Sequence, residues 1–239
     1  MIGLSLDPGR PSKPVLFTRM LKMKIRDRLR RLKIATGIQE QLEVLPADWA
    51  VPDSALATSA TTLASELSSP MLFAHVHRTY CFAAVLAARN GVKFDREVVY
   101  ISSVLHDLGL TESLAEEPGS FEWVGARHAR KFCSDRGLSS EKCDLVHEAV
   151  ALHSSVSVAP RRKPDIALVH YGAALDLLGL RLDEIPKSDL EAILGLYDRT
   201  EFKCAFSSCL QHQANTKPQS HIAGSVDVGF LTRIREGLI

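Results

Sequence analysis

The run Val98-Val99-Tyr100-Ile101-Ser102-Ser103-Val104-Leu105 leads straight into His106-Asp107, with Gly109 two residues further on. A helix this apolar is buried along its length, and it carries an imidazole and a carboxylate to the end where the glycine stops it. A buried carboxylate without a partner costs several kcal/mol or takes up a proton, so the fold must supply something to face it. A divalent metal satisfies both side chains at once, because neutral imidazole and carboxylate are common ligands of zinc, iron and manganese. The plainer alternative is a helix C-terminus whose histidine favours the dipole and whose aspartate points to water. The pair alone leaves both open.

The remainder of the chain reads as helices. Ser54 caps a helix over Ala55–Leu67, and a long one follows from about Pro70 to Arg89, stopped by Asn90-Gly91. Asp95 caps the helix that ends at the His-Asp pair, and Thr111–Gly119 is a polar loop. Ser120 caps a helix to about Arg136, closed by Gly137, and Ser139 or Ser140 starts another to His153. Asp165–Leu178 is a helix stopped by Gly179, Ser188 caps one to Tyr197, and the last helix lies near Val228–Arg235. The polar stretch Gln211–Ser220 reads as loop. Sustained two-residue alternation is absent, so strands are incidental and the fold class is all-α, a helical bundle with its sites between facing helices.

Hydrophobic residues make up 46% and charged residues 24% of the 239-residue chain, an ordinary globular profile with no apolar stretch of membrane-spanning length expected. Five cysteines, with no CxxC pair, point to a reduced, cytoplasmic protein without a cysteine-built zinc site. The net charge of +1 is unevenly spread: Thr18–Ile34 holds eight basic residues and one acid, a local +7 that leaves −6 for the rest. Leu21, Ile25, Leu29 and Leu32 recur there at helical spacing. Three roles compete: a helix docked on the domain by this stripe, which is favoured, a contact for an acidic partner or membrane surface, and an Arg-rich targeting segment. Residues before Lys13 read as a flexible leader. The organisation expected is a basic extension over 1–44, a helical domain over 45–200, and a C-terminal extension over 201–239 packed on it.

Placing the polar residues on these helices sharpens the choice at His106-Asp107. His75 opens the long helix. Asp176 shares a face with Val169 and Ala173, so it enters or borders the core, and His153 lies on the stripe of Cys143, Val146 and Val150. Two histidines and two carboxylates from three helices can converge in a bundle core. His77, about 200° around the helix from His75, reads as a surface or packing residue. His128, His147 and His170 are unassigned.

These segments together resemble the HD-domain superfamily of metal-dependent hydrolases, and within it the cyanamide hydratase-like branch. The resemblance rests on Pro52-Asp53-Ser54, the HxxRxY run of His75, Arg78 and Tyr80, Phe94-Asp95 with Glu97, and Leu105-His106-Asp107-Leu108-Gly109. It continues through Phe121-Glu122 with Gly125-Ala126, Ala151-Leu152-His153 and Asp176, so it spans about Trp49–Gly179, with the Phe202-Lys203 stretch as a candidate extension. It implies an HD-domain helical bundle with His75, His106, Asp107 and Asp176 as metal ligands. Ala74 and Val76 flank His75 where that branch usually has Asn and Ser. Glu122 gains a place on the pocket wall, and Asp107, Glu122 and His153 become the catalytic candidates. Arg78 is a candidate for holding substrate, with a structural ion pair as the alternative.

The first expectation is therefore a hydrolase or hydratase that uses a divalent zinc, iron or manganese ion to direct water at a nitrile- or amide-like carbon of a small molecule. The runner-up is a phosphohydrolase acting on a nucleotide or phosphate ester, although no Gly-rich phosphate loop is present. A non-catalytic metal-binding regulatory domain is the third. No nucleic-acid partner and no membrane span are expected, and a homo-oligomer is left open.

Overall fold

Residues 9–237 are described by a computed structural model, in which they form eleven α-helices and no strand. The first helix, α1 (Lys13–Ala35), begins five residues earlier than the basic stretch suggested, with Pro14 in its first turn. Four helices start at the serine or aspartate caps that the sequence indicates. Ser54, Asp95, Ser120 and Ser139 each accept a backbone N–H at the start of α2 (Ala55–Leu67), α4 (Arg96–Leu105), α5 (Phe121–Asp135) and α6 (Ser140–Leu152). Ser69 does the same for α3 (Pro70–Arg89). Each such cap satisfies one orphan donor, worth about 1 kcal/mol. α7 (Pro164–Leu178) stops at Gly179, whose φ of +67° is the left-handed conformation that glycine adopts freely.

The central helix is α3. From Leu72 to Ala87 only Phe73 escapes full burial, because α2, α4, α7 and the later helices cover it on every side. By length and composition α3 could cross a membrane, contrary to the expectation that no stretch would qualify. However, 83% of its most apolar window is buried within the fold. Its closest neighbour is α7, and Gly172 is the reason. A Cβ there would lie 2.1 Å from the Thr79 carbonyl oxygen, so any larger residue drives the helices apart. Overpacking of this kind typically costs ~1–3 kcal/mol. It would also displace Asp176, one turn further along α7.

After α8 (Lys187–Leu196), where Pro186 rather than Ser188 stands at the cap position, three helices fold back over one end of the bundle. They are α9 (Phe202–Thr216), α10 (His221–Asp227) and α11 (Phe230–Glu236). The expected loop over Gln211–Ser220 is therefore mostly helix. Gln213 is buried there and donates to the Ala115 carbonyl at 3.0 Å, a tertiary bond that stabilises a polar turn of helix. Phe202, Phe206, Leu210, Ile222, Leu231 and Ile234 form a second apolar cluster with Leu72, Leu110 and Phe121.

Two expectations for the N-terminal segment are corrected. α1 docks, but not by the Leu21/Ile25/Leu29/Leu32 stripe, which faces solvent. The contact is made by the opposite face. Leu16 is buried, Met20 accepts from Arg233, and Arg30 pairs with Asp183 (3.0 Å) and the buried Glu184 (2.7 Å). The leader is not free over its described part: Arg10 pairs with Asp227 and donates to the Pro218 carbonyl. Its first eight residues lie outside the described ones.

Candidate metal centre

The His-Asp turn is held in place by two close backbone approaches. Beyond Leu105, His106 and Asp107 leave the helix and Leu108–Leu110 make one tight turn. A Cβ on Gly109 would sit 2.1 Å from the Phe121 carbonyl oxygen, and one on Gly125 only 3.3 Å from the His106 carbonyl oxygen. Both glycines thus let the start of α5 press against the turn that carries the pair.

The structure brings His75, His106 and Asp107 together. One ligating atom from each lies within 4.8 Å of the others, and all three residues are buried. His75 Nε2 and His106 Nε2 stand 3.4 and 3.1 Å from the Asp107 Oδ2 atom. Neither Nε2 and neither Asp107 oxygen has a properly directed hydrogen bond. Buried polar atoms are almost always partnered, so three converging groups that leave such atoms unpaired form a cluster that could hold a cation. Burial opposes ionisation of Asp107, but the histidines around it outweigh burial and hold it well below the usual carboxylate range. Burial also opposes charge on His75, yet the nearby Asp107 carboxylate and the hydrogen-bonded Asp176 raise its pKa. A field that favours a proton at an imidazole favours a metal cation there too.

The rings are fixed in the orientation that ligation requires. His106 Nδ1 donates to the Ser103 carbonyl (2.7 Å), which leaves Nε2 as a bare lone pair. His75 Nδ1 donates to Asp176 Oδ2 at 2.6 Å. Asp176 therefore stands behind His75, outside the group of converging atoms, and the expected four-residue ligand set is not what this geometry assembles. Its oxygens are filled: Arg78 grips both at 2.8 Å, and Arg199 Nε donates to Oδ1 at 3.1 Å. Arg78 is likewise committed. Fully buried, it also donates to the Asp198 carbonyl (2.7 Å) and lies over the Phe202 ring, contacts that match the structural ion pair, the alternative expected for it. Burial raises the Asp176 pKa, but His75 and Arg78 more than reverse this and keep it ionised.

His153 reaches the cluster from the end of α6. Its Nε2 is 3.5 Å from Asp107 Oδ1, and its Nδ1 donates to the Val150 carbonyl (2.7 Å), the arrangement seen at His106. Burial, reinforced by His106, pushes its pKa down to about 3, so it is neutral with an open Nε2 lone pair. His170, unassigned from sequence, donates from Nδ1 to the His153 carbonyl at 2.6 Å and so braces that turn. Glu122 is buried and accepts from Ser154 Oγ (2.7 Å), with His221 3.9 Å away. It ties the residue after His153 to α5. His77 is a packing residue, stacked on Tyr197, and His128 pairs at the surface with Glu117.

The walls come partly from residues to which the sequence reading gave no role in the site. Phe202 and Phe206 pack against the His75 ring with centroids 5.0 and 4.9 Å away, and Phe121 lies edge-on to His153 at 5.6 Å. The signal was available in the i, i+4, i+8 spacing of Phe202, Phe206 and Leu210. Arg199 gave no such sign.

A model of the HD domain family matches residues 72–203, which take in every residue of the cluster. The chain belongs to the HD domain family. It is also 23% identical over 168 residues to the cyanamide hydratases DDI2 and DDI3 of Saccharomyces cerevisiae, covering 69% of this chain and 74% of each relative.

Proposed function

We propose that this HD-domain protein is a metal-dependent hydratase that adds water to the nitrile-like carbon of a small, uncharged molecule. One observation carries the metal: the converging buried ligand atoms of His75, His106 and Asp107, one from each residue, that have no properly directed hydrogen bond. When bound, a zinc, iron or manganese ion there lowers the pKa of water and polarises an electrophile. His75, His106 and Asp107 hold it, and Asp176 orients the His75 ring from behind. His153 supplies an acceptor lone pair that aligns the attacking water and takes up its proton for return to the substrate nitrogen. The water oxygen bonds to carbon, one bond of the carbon–nitrogen multiple bond opens, and the proton goes to nitrogen. Phe121, Phe202 and Phe206 keep the surroundings apolar.

Similarity to the two cyanamide hydratases supports a substrate of cyanamide size. The electrostatics support an uncharged one. The guanidiniums of Arg78 and Arg199, which would otherwise serve a phosphate, are both engaged by Asp176. The test is elemental analysis of the purified protein, followed by turnover of cyanamide, short nitriles, amides and nucleoside monophosphates with the matching metal. Near-stoichiometric metal with turnover confined to nitriles and cyanamide is the expected result. Phosphate release from the nucleotides alone, or a protein that stays metal-free after reconstitution, overturns it.

A further inference from the structure

α1 has two faces, and the fold uses only one. Leu16, Met20, Met23, Asp27, Arg30 and Ile34 share the inner face, buried or half-buried against the domain. Phe17, Leu21, Ile25, Leu29 and Leu32 fall on the opposite side, each between 51 and 60% exposed. At about 100° per residue these five occupy roughly a third of the circumference. Exposed cations flank them on both sides, Lys24 along one edge with Arg28 just inside it, and Lys22 and Lys33 along the other. The tertiary contact therefore leaves the apolar stripe outward, though covering it would be the natural use of an amphipathic helix. An outward apolar patch of this kind calls for an occupant.

We propose that α1 is an interfacial membrane-binding helix, which seats its Phe17-Leu21-Ile25-Leu29-Leu32 stripe at the headgroup–acyl boundary of an anionic bilayer while the flanking lysines and arginines bind lipid phosphates and carboxylates. Charge complementarity selects this occupant. The segment carries +7 against −6 for the rest of the chain. Pairing with a second copy along the same stripe sets one +7 helix against another. Nucleic acid offers nothing for five large apolar side chains. An anionic bilayer takes both features, apolar centre and cationic edges, in a helix of 23 residues lying in its plane. The docked face is held by the Arg30 pairs to Asp183 and Glu184, so the stripe is presented without unfolding any part of the domain.

The experiment is flotation of the full chain with vesicles of phosphatidylcholine alone and of phosphatidylcholine mixed with phosphatidylserine. The protein is expected to float with the mixed vesicles, to stay behind with the neutral ones, and to be released as salt screens the charges. Replacing Leu21, Ile25 and Leu29 together by Ser lowers partitioning by about tenfold or more, with the melting temperature and metal content unchanged because these exposed side chains lie outside both apolar clusters. Lys22→Glu with Lys24→Glu and Arg28→Glu gives a comparable loss. Absence of binding to anionic vesicles overturns the proposal. So does equal binding by the triple-Ser protein, or a self-association that only the triple-Ser change abolishes while the wild type ignores vesicles. Capture of an acidic protein by the same stripe, without vesicle binding, overturns it as well.

Discussion

Asp107 and Asp176 are both fully buried, both ionised, and both beside His75, yet their surroundings are opposite. Asp176 has each oxygen filled by Arg78, Arg199 or the His75 Nδ1–H. Asp107 has neither oxygen in a directed hydrogen bond, although His75, His106 and His153 all point Nε2 atoms toward it. The first carboxylate closes its charge balance within the protein, and the second leaves it open for a cation. Burial by itself does not mark a metal site. The signature is convergent unpartnered atoms whose other hydrogen bonds are already made.

The contrast breaks most sharply at the open carboxylate. Asp107→Ala and His106→Ala should each reduce bound metal to below about a tenth of the wild-type content while the helices remain, as ligand loss in a three-residue set predicts. Elemental analysis beside circular dichroism reads both. If Asp107→Ala kept its metal and Asp176→Ala lost it, the two carboxylates would have exchanged roles.

Next in size is His153. His153→Ala should retain metal and lose ~10²–10⁴-fold in kcat, the range for a positioned proton acceptor. Glu122→Gln preserves an acceptor for Ser154, so a drop of about tenfold is expected from imperfect support of His153. Steady-state kinetics with metal content measured on the same samples separates turnover from loading. A His153→Ala protein that purifies metal-free would make His153 a ligand.

At the closed carboxylate the expected loss is mainly stability. Asp176→Ala strands Arg78 and Arg199, and removing one partner of a buried ionic group costs ~3–5 kcal/mol. Metal affinity should weaken ~10–100-fold, the effect of removing an orienting carboxylate, rather than vanish. Urea denaturation and metal titration together decide this.

The smallest effect extends the comparison to histidines. His147 Nδ1 is also buried without a hydrogen bond, but it lies edge-on to Trp123 and, among the described residues, belongs to no cluster of ligating atoms. Burial, helped by Arg130, lowers its pKa below the ordinary histidine value. Its stabilising neutral form is complete above the unfolded pKa near ~6.5 and is lost as pH falls below that, with a slope of at most ~1.4 kcal/mol per pH unit. His147→Leu should therefore show a shallower fall in urea midpoint between neutral and mildly acid pH. An unchanged slope would show that this imidazole does not contribute.

How much of this was legible in the sequence follows from the range of the forces involved. Caps, stops and helical periodicity are local, so Ser54, Asp95, Ser120, Gly137 and Gly179 mark helix ends in the sequence as they do in the structure. The same pattern places His75, His106, His153 and Asp176 toward the interior, where all four are buried. Partner choice is not local. Periodicity brings Asp176 to His75 but does not say which imidazole nitrogen it meets, nor that Arg78 and Arg199 fill it. That depends on the close α3–α7 crossing at Gly172 and on where the chain returns after α8. The helix over Gln211–Thr216 is another tertiary decision, since its buried Gln213 is stabilised by a carbonyl nearly a hundred residues away. α1 is the clearest case. Its sequence determines an amphipathic helix with a basic rim, but which face docks was set by ion pairs to Asp183 and Glu184, whose geometry exists only once the bundle has folded.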